Sequence, residues 1–343
     1  MSRAGGRSRG ATIIDVAAHA GVSPMTVSRV INGRPGVRPA SHAAVLAAIE
    51  ALAYTPNVAA RSLVTSSELK IGVIYSNPSA AFMSEFLTGV FEEASARGAR
   101  LILLKGAEGK PPSDAAIEDL VASGISGLIL TPPLGESPAL LRVLRKAGLP
   151  MAAVGAYASA EAICVRIDDR QAAYETTRHL LDLGHRRIGF IVGNPDQTAT
   201  AERMAGFDAA MREVEDAEAT IAQGDFSYGS GLTAGEQLLA NDPAPTAIFA
   251  SNDDMAAAVV SVAHRRHLDV PRELTVAGFD DTTAAVMLWP PLTTVHQPVR
   301  DLAAEALRLL AAEIASRATP VERPHDHVLA HRLIQRQSTA RCA

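Results

Sequence analysis

Two periodicities divide the chain. Over roughly the first 55 residues, apolar positions recur at three- and four-residue intervals in the short runs IIDVAAHA, PMTVSRVI and SHAAVLAAIEALAY. That spacing puts the apolar side chains on one face and predicts three short helices. Thr12 precedes the first run and Ser23 the second, each placed to cap a helix with its hydroxyl. Pro24 takes the first turn, where a missing N–H costs nothing. Gly21 stops the first helix, Asn32-Gly33 stops the second, and RPGVRP reads as a loop. From Leu69 the pattern changes. Apolar runs of five or six residues, KIGVIY, ARLILL, GLILT and PMAAVG, alternate with helical segments such as AFMSEFLTGVFEEASARG. The alternation resumes with CVRID, RIGFIVG, ATIAQGD, AIFAS and LTVAGFD. Strand and helix in turn imply parallel sheets. The pattern runs twice, over roughly 69–160 and 161–290, and predicts two lobes with a cleft at the carboxyl ends of their strands. A helix over Pro298 to Ser316 follows, then DHVLAHRLIQRQ as a terminal strand, so that the C-terminal segment crosses back.

Helix, tight Gly turn, helix is the helix-turn-helix arrangement. Its second helix lies in the major groove of DNA with its first residues toward the base edges. Here these are Pro24, Met25, Thr26 and, one turn on, Arg29. Arg29 suits bidentate contact with guanine, Pro24 and Met25 can offer apolar contact to a thymine methyl, and Thr26 and Ser28 can bond phosphates. Val27 and Val30 fall on the opposite face, as core. Charge supports this reading. Residues 1–67 hold seven Arg, no Lys and two acids, whereas the chain as a whole carries −5. A basic head on an acidic body points the head, and not the body, at a polyanion.

Further composition narrows the class. Residues 1–10, MSRAGGRSRG, are basic with no apolar stretch after them, and read as a flexible arm rather than a signal peptide. No run of 18 apolar residues occurs, so no membrane partner is expected. Two cysteines, Cys164 and Cys342, make no disulfide framework and fit a reducing cytoplasm. No Walker loop, GxGxxG or metal-ligand cluster is present, so neither an enzyme nor a cofactor is expected. His185, in LGHRRI, sits at a helix end, where an imidazolium suits the dipole, and reads as structural.

With these pieces in place, the sequence resembles the lactose-repressor (LacI/GalR) family of bacterial transcription regulators. The head matches in IIDVAAHAGVS, TVSRVIN and YTPNVAARSL, and the body in LGHRRIGFI, ERMAGF, SNDDMA and VAGFDD. The resemblance covers nearly everything beyond residue 10. It implies an α/β protein with an all-α helix-turn-helix head, residues 11–55, and a hinge helix and linker, residues 56–68. Residues 69–343 become a two-lobed body like a periplasmic binding protein. It also implies that PNVAARSL forms a hinge helix on DNA. Asn57, Ala59 and Ala60 would approach the minor groove, and Leu63 would wedge into a base step. Thr12, Ser23 and Asn32 complete the expected DNA contacts.

The same resemblance places a small molecule between the lobes. Arg203, Asn252 and Asp280 match the family's polar contacts and Phe226 its aromatic platform. Ser76, Phe82, Thr131 and Trp289 are further candidates, and Asp168 or Asp169 also lies near the cleft. A ring stacked on a sugar face, with Asp, Asn and Arg at the rim, is what a polyhydroxyl ligand requires. The alternatives are structural: Asn252 as a helix cap, Arg203 paired with Glu202 or Asp208, Phe226 as core, Asp280 or Asp281 as a helix cap or a brace of the crossover, Trp289 filling the crossover. The first-lobe loop reads YSNPSAAFMSEF where many members have P-D-x-x-N-P-F-F, which makes that half of the pocket more apolar. The resulting expectation is a homodimeric repressor on a pseudo-palindromic operator, released by a sugar or sugar derivative. The alternatives are a repressor strengthened by a purine or other corepressor, and a solute-binding protein with no DNA role.

Overall fold

The computed structural model describes residues 12–31, 37–52, 69–107, 109–157, 161–316 and 325–342. The basic arm, Asn32, and the hinge segment with Asn57, Ala59, Ala60 and Leu63 lie outside the described residues. The chain divides into two units, Met1–Glu68 and Leu69–Ala343.

The first unit contains α1 (Ile13–Ala20), α2 (Pro24–Ile31) and α3 (Pro39–Ala51). Thr12 and Asp15 close a capping box on α1: Asp15 Oδ2 accepts the Thr12 N–H at 2.7 Å, and Thr12 Oγ1 accepts the Asp15 N–H at 3.4 Å. Gly21 ends α1 with φ 63°, a left-handed conformation that a residue with Cβ resists. The Ser23 hydroxyl then accepts the Thr26 N–H at 3.2 Å and starts α2. Val16, Val27 and Val45, one from each helix, are fully buried together with Ala17, Val30 and Ala48. Three short helices thus hold one another through a small valine-alanine core.

The second unit has two sheets. The first is six-stranded and all parallel, in the order β11-β5-β4-β3-β1-β2. Its strands are β1 (Lys70–Tyr75), β2 (Arg100–Lys105), β3 (Gly127–Leu130), β4 (Met151–Val154), β5 (Ile163–Arg166) and β11 (Asp326–Val328). Around it lie α4 (Ala80–Arg97), α5 (Asp114–Ala122), α6 (Pro138–Ala147) and α12 (Val299–Ser316). The second sheet is four-stranded and parallel, β7-β6-β8-β9, from β6 (Arg187–Val192), β7 (Glu218–Gln223), β8 (Ala247–Ala250) and β9 (Thr275–Ala277). It is flanked by α7 (Asp169–Asp182), α8 (Thr198–Met211), α9 (Tyr228–Leu238), α10 (Asp253–Arg265) and α11 (Thr283–Met287). An antiparallel pair, β10 (Thr294–His296) with β12 (Arg332–Ile334), lies in the crossover.

Three local expectations change. CVRI, read with the second repeat, pairs with β4 and β11 in the first sheet, so the lobes exchange chain after residue 166. DHVLAHRLIQRQ is two strands in different sheets, β11 and β12. The reason is non-local: β11 pairs with a strand 160 residues earlier, and no periodicity encodes that choice. His185 is buried, with Nδ1 on Thr246 Oγ1 at 2.9 Å and Nε2 on the Ala340 carbonyl at 3.0 Å. Burial lowers its pKa, so it is a neutral pin of the C-terminal segment rather than an imidazolium at a helix end.

The core is continuous through the body. Ile71, Phe86 and Leu307 of the first lobe belong to the same buried cluster as Phe190 and Phe207 of the second. The rings of Phe190 and Phe207 stack at 4.7 Å between centroids. Gly206 lets α8 lie directly on α7, since a Cβ there would collide with the Arg170 carbonyl. Among the described residues no helix is long and apolar enough to cross a membrane.

Candidate functional site

On the head, one face of α2 is core and the other is open. Val27 is fully buried and Val30 nearly so, whereas Met25 is 70 % exposed and Pro24 and Arg29 are exposed. Thr26 and Ser28 are half-buried beside them. Met25 and Arg29 stand one turn apart, so an apolar tip and a cation are offered side by side. Thr12 and Ser23 spend their hydroxyls on the helix starts, although both residues are exposed.

In the body, a small cavity of about 40 Å³ opens where the parallel strands of both lobes end. The first lobe contributes Asn77, Ser79, Phe82, Pro132, Val154 and Gly155. The second contributes Asp169, Gln197, Ala199, Arg203, Phe226 and Asn252, and the crossover Asp280 and Gln297. Five of the sequence-derived candidates, Phe82, Arg203, Phe226, Asn252 and Asp280, therefore share one wall-to-wall space.

Their polar atoms are largely committed. Arg203 donates from Nε to Asp169 Oδ1 at 2.8 Å and from Nη1 to the Ser251 carbonyl at 2.5 Å, and its guanidinium lies 3.6 Å from the centroid of the Phe279 ring. Its partner is thus Asp169, not the Glu202 or Asp208 of its own helix. Tyr157 closes the other side of Asp169, its hydroxyl donating to Oδ2 at 2.8 Å. Burial, then the Asp169 carboxylate, raises the Tyr157 pKa and keeps that hydroxyl a donor. Asn252 caps α10, Oδ1 accepting the Met255 N–H at 3.0 Å, while Nδ2 donates to the Phe226 carbonyl at 2.9 Å. It lines the cavity and caps a helix at once.

Two cavity residues have unusual backbones. Phe226 has φ 71° and Asp280 φ 107°, in a region that residues with Cβ avoid. Such conformations persist where surrounding structure enforces them, and they cluster at functional sites. Asp280 is buried, and Gln297 Nε2 donates to its Oδ1 at 3.1 Å. Burial raises the Asp280 pKa well above the usual carboxylate range, although Arg203 pulls it down.

Three candidates fall elsewhere. Trp289 is 74 % exposed and stands outside the cavity, at the surface after α11. Ser76 and Thr131 are buried at strand ends but do not line the space, and their neighbours Asn77 and Pro132 do. Successive residues of an extended chain face opposite ways, so a shift of one residue exchanges the wall for its backing. Asp169 rather than Asp168 reaches the cavity, Asp168 being the cap of α7. Gln197, Gln297, Tyr157 and Glu136 were not singled out from the sequence. Glu136, in the first lobe, accepts the Tyr157 N–H at 3.1 Å and the Thr198 N–H at 2.8 Å, the latter at the start of α8 in the second lobe. Only a folded chain brings those positions together, and no spacing rule announces them.

Comparison with known proteins matches each unit. A model of the lacI family of bacterial regulatory proteins matches residues 12–57, and one of the periplasmic binding protein-like domain matches residues 177–339. Catabolite control protein A of Priestia megaterium is 35 % identical over 303 residues, 87 % of this chain and 91 % of that one. The structure of transcriptional regulator CelR in complex with cellobiose superposes with TM-score 0.70 at 31 % identity, covering 96 % of this chain and 99 % of that chain. The lac repressor dimer bound to operator and the anti-inducer ONPF superposes with TM-score 0.77 at 27 % identity, covering 97 % and 100 %. With a capped helix-turn-helix head, two parallel-sheet lobes and full-length relatives, this chain belongs to the lacI family and is a DNA-binding transcriptional regulator, not an enzyme.

Proposed function

We propose that this regulator is a homodimeric repressor that leaves a pseudo-palindromic operator when a sugar or sugar derivative binds between its lobes. The cavity carries the reading: the rings of Phe82 and Phe226, with Arg203, Asp280 and Gln197 at the walls, suit a ligand that is apolar on its faces and hydroxylated at its edge. The cellobiose held by a regulator 31 % identical to this chain supports it. Thr12, Ser23, Pro24, Met25, Thr26, Ser28, Arg29 and Asn32 are the proposed head contacts, with Asn57, Ala59, Ala60 and the Leu63 wedge in the hinge. One head offers about four base contacts, too few for useful specificity, and two heads double them. Exposed apolar side chains support the dimer: Phe91 on α4 and Leu103 on the neighbouring β2, and Val286, Met287 and Trp289 at and after α11. The effector acts only through a difference in its affinity for two lobe arrangements.

The test is fluorescence anisotropy on DNA from the protein's own promoter, with and without a panel of sugars. Arg29→Ala is expected to weaken specific binding by roughly 10- to 100-fold, one bidentate base contact, and to leave the circular dichroism spectrum unchanged. A sugar that binds should release the DNA. Tighter DNA binding on adding it would reverse the sign and make the ligand a corepressor.

A further inference from the structure

The last passage of the chain between the lobes ends in a docked segment. β11 lies in the first sheet, β12 pairs with β10 in the crossover, and residues 336–342 then run along the second lobe. Ser338 lies beside β9: its carbonyl accepts the Val276 N–H at 2.9 Å and its hydroxyl donates to the Val276 carbonyl at 2.6 Å. Arg336 donates to the Leu292 carbonyl at 2.9 Å and to Asp281 Oδ1 at 2.5 Å. The Cys342 N–H reaches the Leu183 carbonyl at 2.9 Å. Two histidines hold the rest. His179, on α7, has Nε2 3.2 Å from the Thr339 hydroxyl, which meets the Thr293 hydroxyl at 2.9 Å. His185, just beyond α7, stands between the Thr246 hydroxyl and the Ala340 carbonyl. A carbonyl only accepts, so Nε2 of His185 carries the hydrogen and Nδ1 takes the Thr246 hydroxyl. A proton on Nδ1 turns that hydroxyl to the Arg187 carbonyl, a poorer acceptor at 3.4 Å, and leaves a charge in a buried place.

We propose that residues 336–342 are a proton-operated latch, docked on the second lobe while His179 and His185 are neutral and released when both take a proton. The surroundings offer such charges little. On α7, Asp182 favours a charged His179, but it is exposed and already paired with Arg178 at 2.8 Å. The His185 ring opposes a charge on His179. At the start of β6, Arg186 holds Asp216 and Arg187 holds the Ala244 carbonyl, and both are cations. The segment itself brings Arg336, the exposed Arg341 and the Cys342 thiol, and the Asp281 that takes Arg336 also holds His296. Thr246, β9, Leu292 and Thr293 add no charge. Burial is the largest influence on both rings and lowers both pKa values. Released rings titrate near 6.5, so docking has its full support above about that pH and loses it as the pH falls below. Release frees the second-lobe end of the passage. It also removes the Arg336 brace from Asp281, the neighbour of the cavity residue Asp280. The latch does not depend on what fills the cavity.

The two cysteines read the latch in the unmodified full-length protein. Cys342 is half-buried within the segment, and Cys164 is fully buried in β5. Their reaction with 4,4′-dithiodipyridine is followed from about pH 8 to about pH 5, across the histidine range. Each rate is divided by that of a synthetic peptide of residues 336–343 at the same pH, so that the thiol's own titration cancels. One thiol per chain should become reactive below about pH 6.5, by up to roughly tenfold per pH unit for each proton taken up. Cys164 should stay protected and the circular dichroism unchanged. His179→Gln should roughly halve the slope, and His179→Gln with His185→Gln should abolish it, since an amide can make either bond but takes no proton. Where the double variant proves released at every pH, the ring resonances of the parent decide. Those of the two histidines, assigned from the single variants, must titrate at the midpoint of Cys342 release, and a separate midpoint overturns the latch. A parent ratio that stays flat across the range also overturns it, because the segment then stays docked through protonation. Two thiols that react together overturn it as well, because the acid then unfolds the whole body.

Discussion

Asp253 shows how one side chain can carry the state of the crossover. It opens α10, is 1 % exposed, and accepts three hydrogen bonds, from the Thr282 N–H at 2.7 Å, the Thr282 hydroxyl at 3.1 Å and the Thr294 hydroxyl at 2.6 Å. Those bonds tie α10 to the start of α11 and to β10. Burial nevertheless dominates and pushes its pKa up to about 7, with nearby Asp281 adding to the rise. The unfolded carboxyl titrates near 4. Between the two values the folded chain keeps a proton that the unfolded chain releases. The stabilisation is complete below about pH 4 and is lost as pH rises through about 7. Asp253→Asn has no such proton. The stability of the parent relative to this variant should therefore fall between pH 5 and pH 8, on the order of 2 kcal/mol. Guanidinium unfolding at several pH values, followed by circular dichroism, measures it. A difference independent of pH would remove Asp253 from the account. The sequence marked this residue only as part of SNDDMA; its two partner residues lie 29 and 41 residues away, so its burial was not legible there.

At the scale of elements, the three helices of the head and the strand–helix alternation were legible because each has its own periodicity and punctuation. Sheet membership was not, because β5 and β11 choose their neighbours through contacts across the whole body. Arg203, Phe226, Asn252 and Asp280 were reached through the family resemblance, whereas Ser76 and Thr131, chosen because they follow strands, do not line the cavity. The partners of the cavity residues were not legible: Asp169 meets Arg203 across 34 residues. Glu136 is the clearest case. It stands in the first lobe and its carboxylate receives the first N–H of α8, a helix of the second lobe. A carboxylate at a helix N-terminus is favoured by the orphan N–H groups and by the dipole. This contact joins the two lobes next to the cavity residues Gln197 and Ala199, and holds the lobes in the arrangement seen here. Glu136→Ala should open the ligand-free body, seen as a larger radius of gyration by X-ray scattering. It should also weaken sugar binding by about tenfold, the worth of one charge-assisted hydrogen bond. Saturating ligand should return the radius to the parent value. Unchanged scattering and affinity would reduce the contact to a local cap.

For the whole molecule, the distribution of apolar surface argues for association. Soluble chains expose single apolar side chains routinely, but contiguous ones mark contact sites. Val286, Met287 and Trp289 are 53, 80 and 74 % exposed within four residues, on the lobe surface rather than at the cavity. Trp289, the only tryptophan in the chain, is therefore a reporter of that surface. If two bodies meet there, its emission should shift to shorter wavelength as protein concentration rises through the dimer dissociation constant. Sedimentation should give twice the chain mass over the same range. Met287→Ser with Trp289→Ser should leave a folded monomer, since neither side chain contributes to the buried core. The monomer should lose most of its specific operator affinity and keep its sugar binding, because the cavity is built within one chain while the operator needs two heads. A double variant that still sediments as a dimer would move the interface to the other exposed patch, Phe91 and Leu103 on α4 and β2. One that dimerises no longer yet binds the operator unchanged would show that a single head suffices.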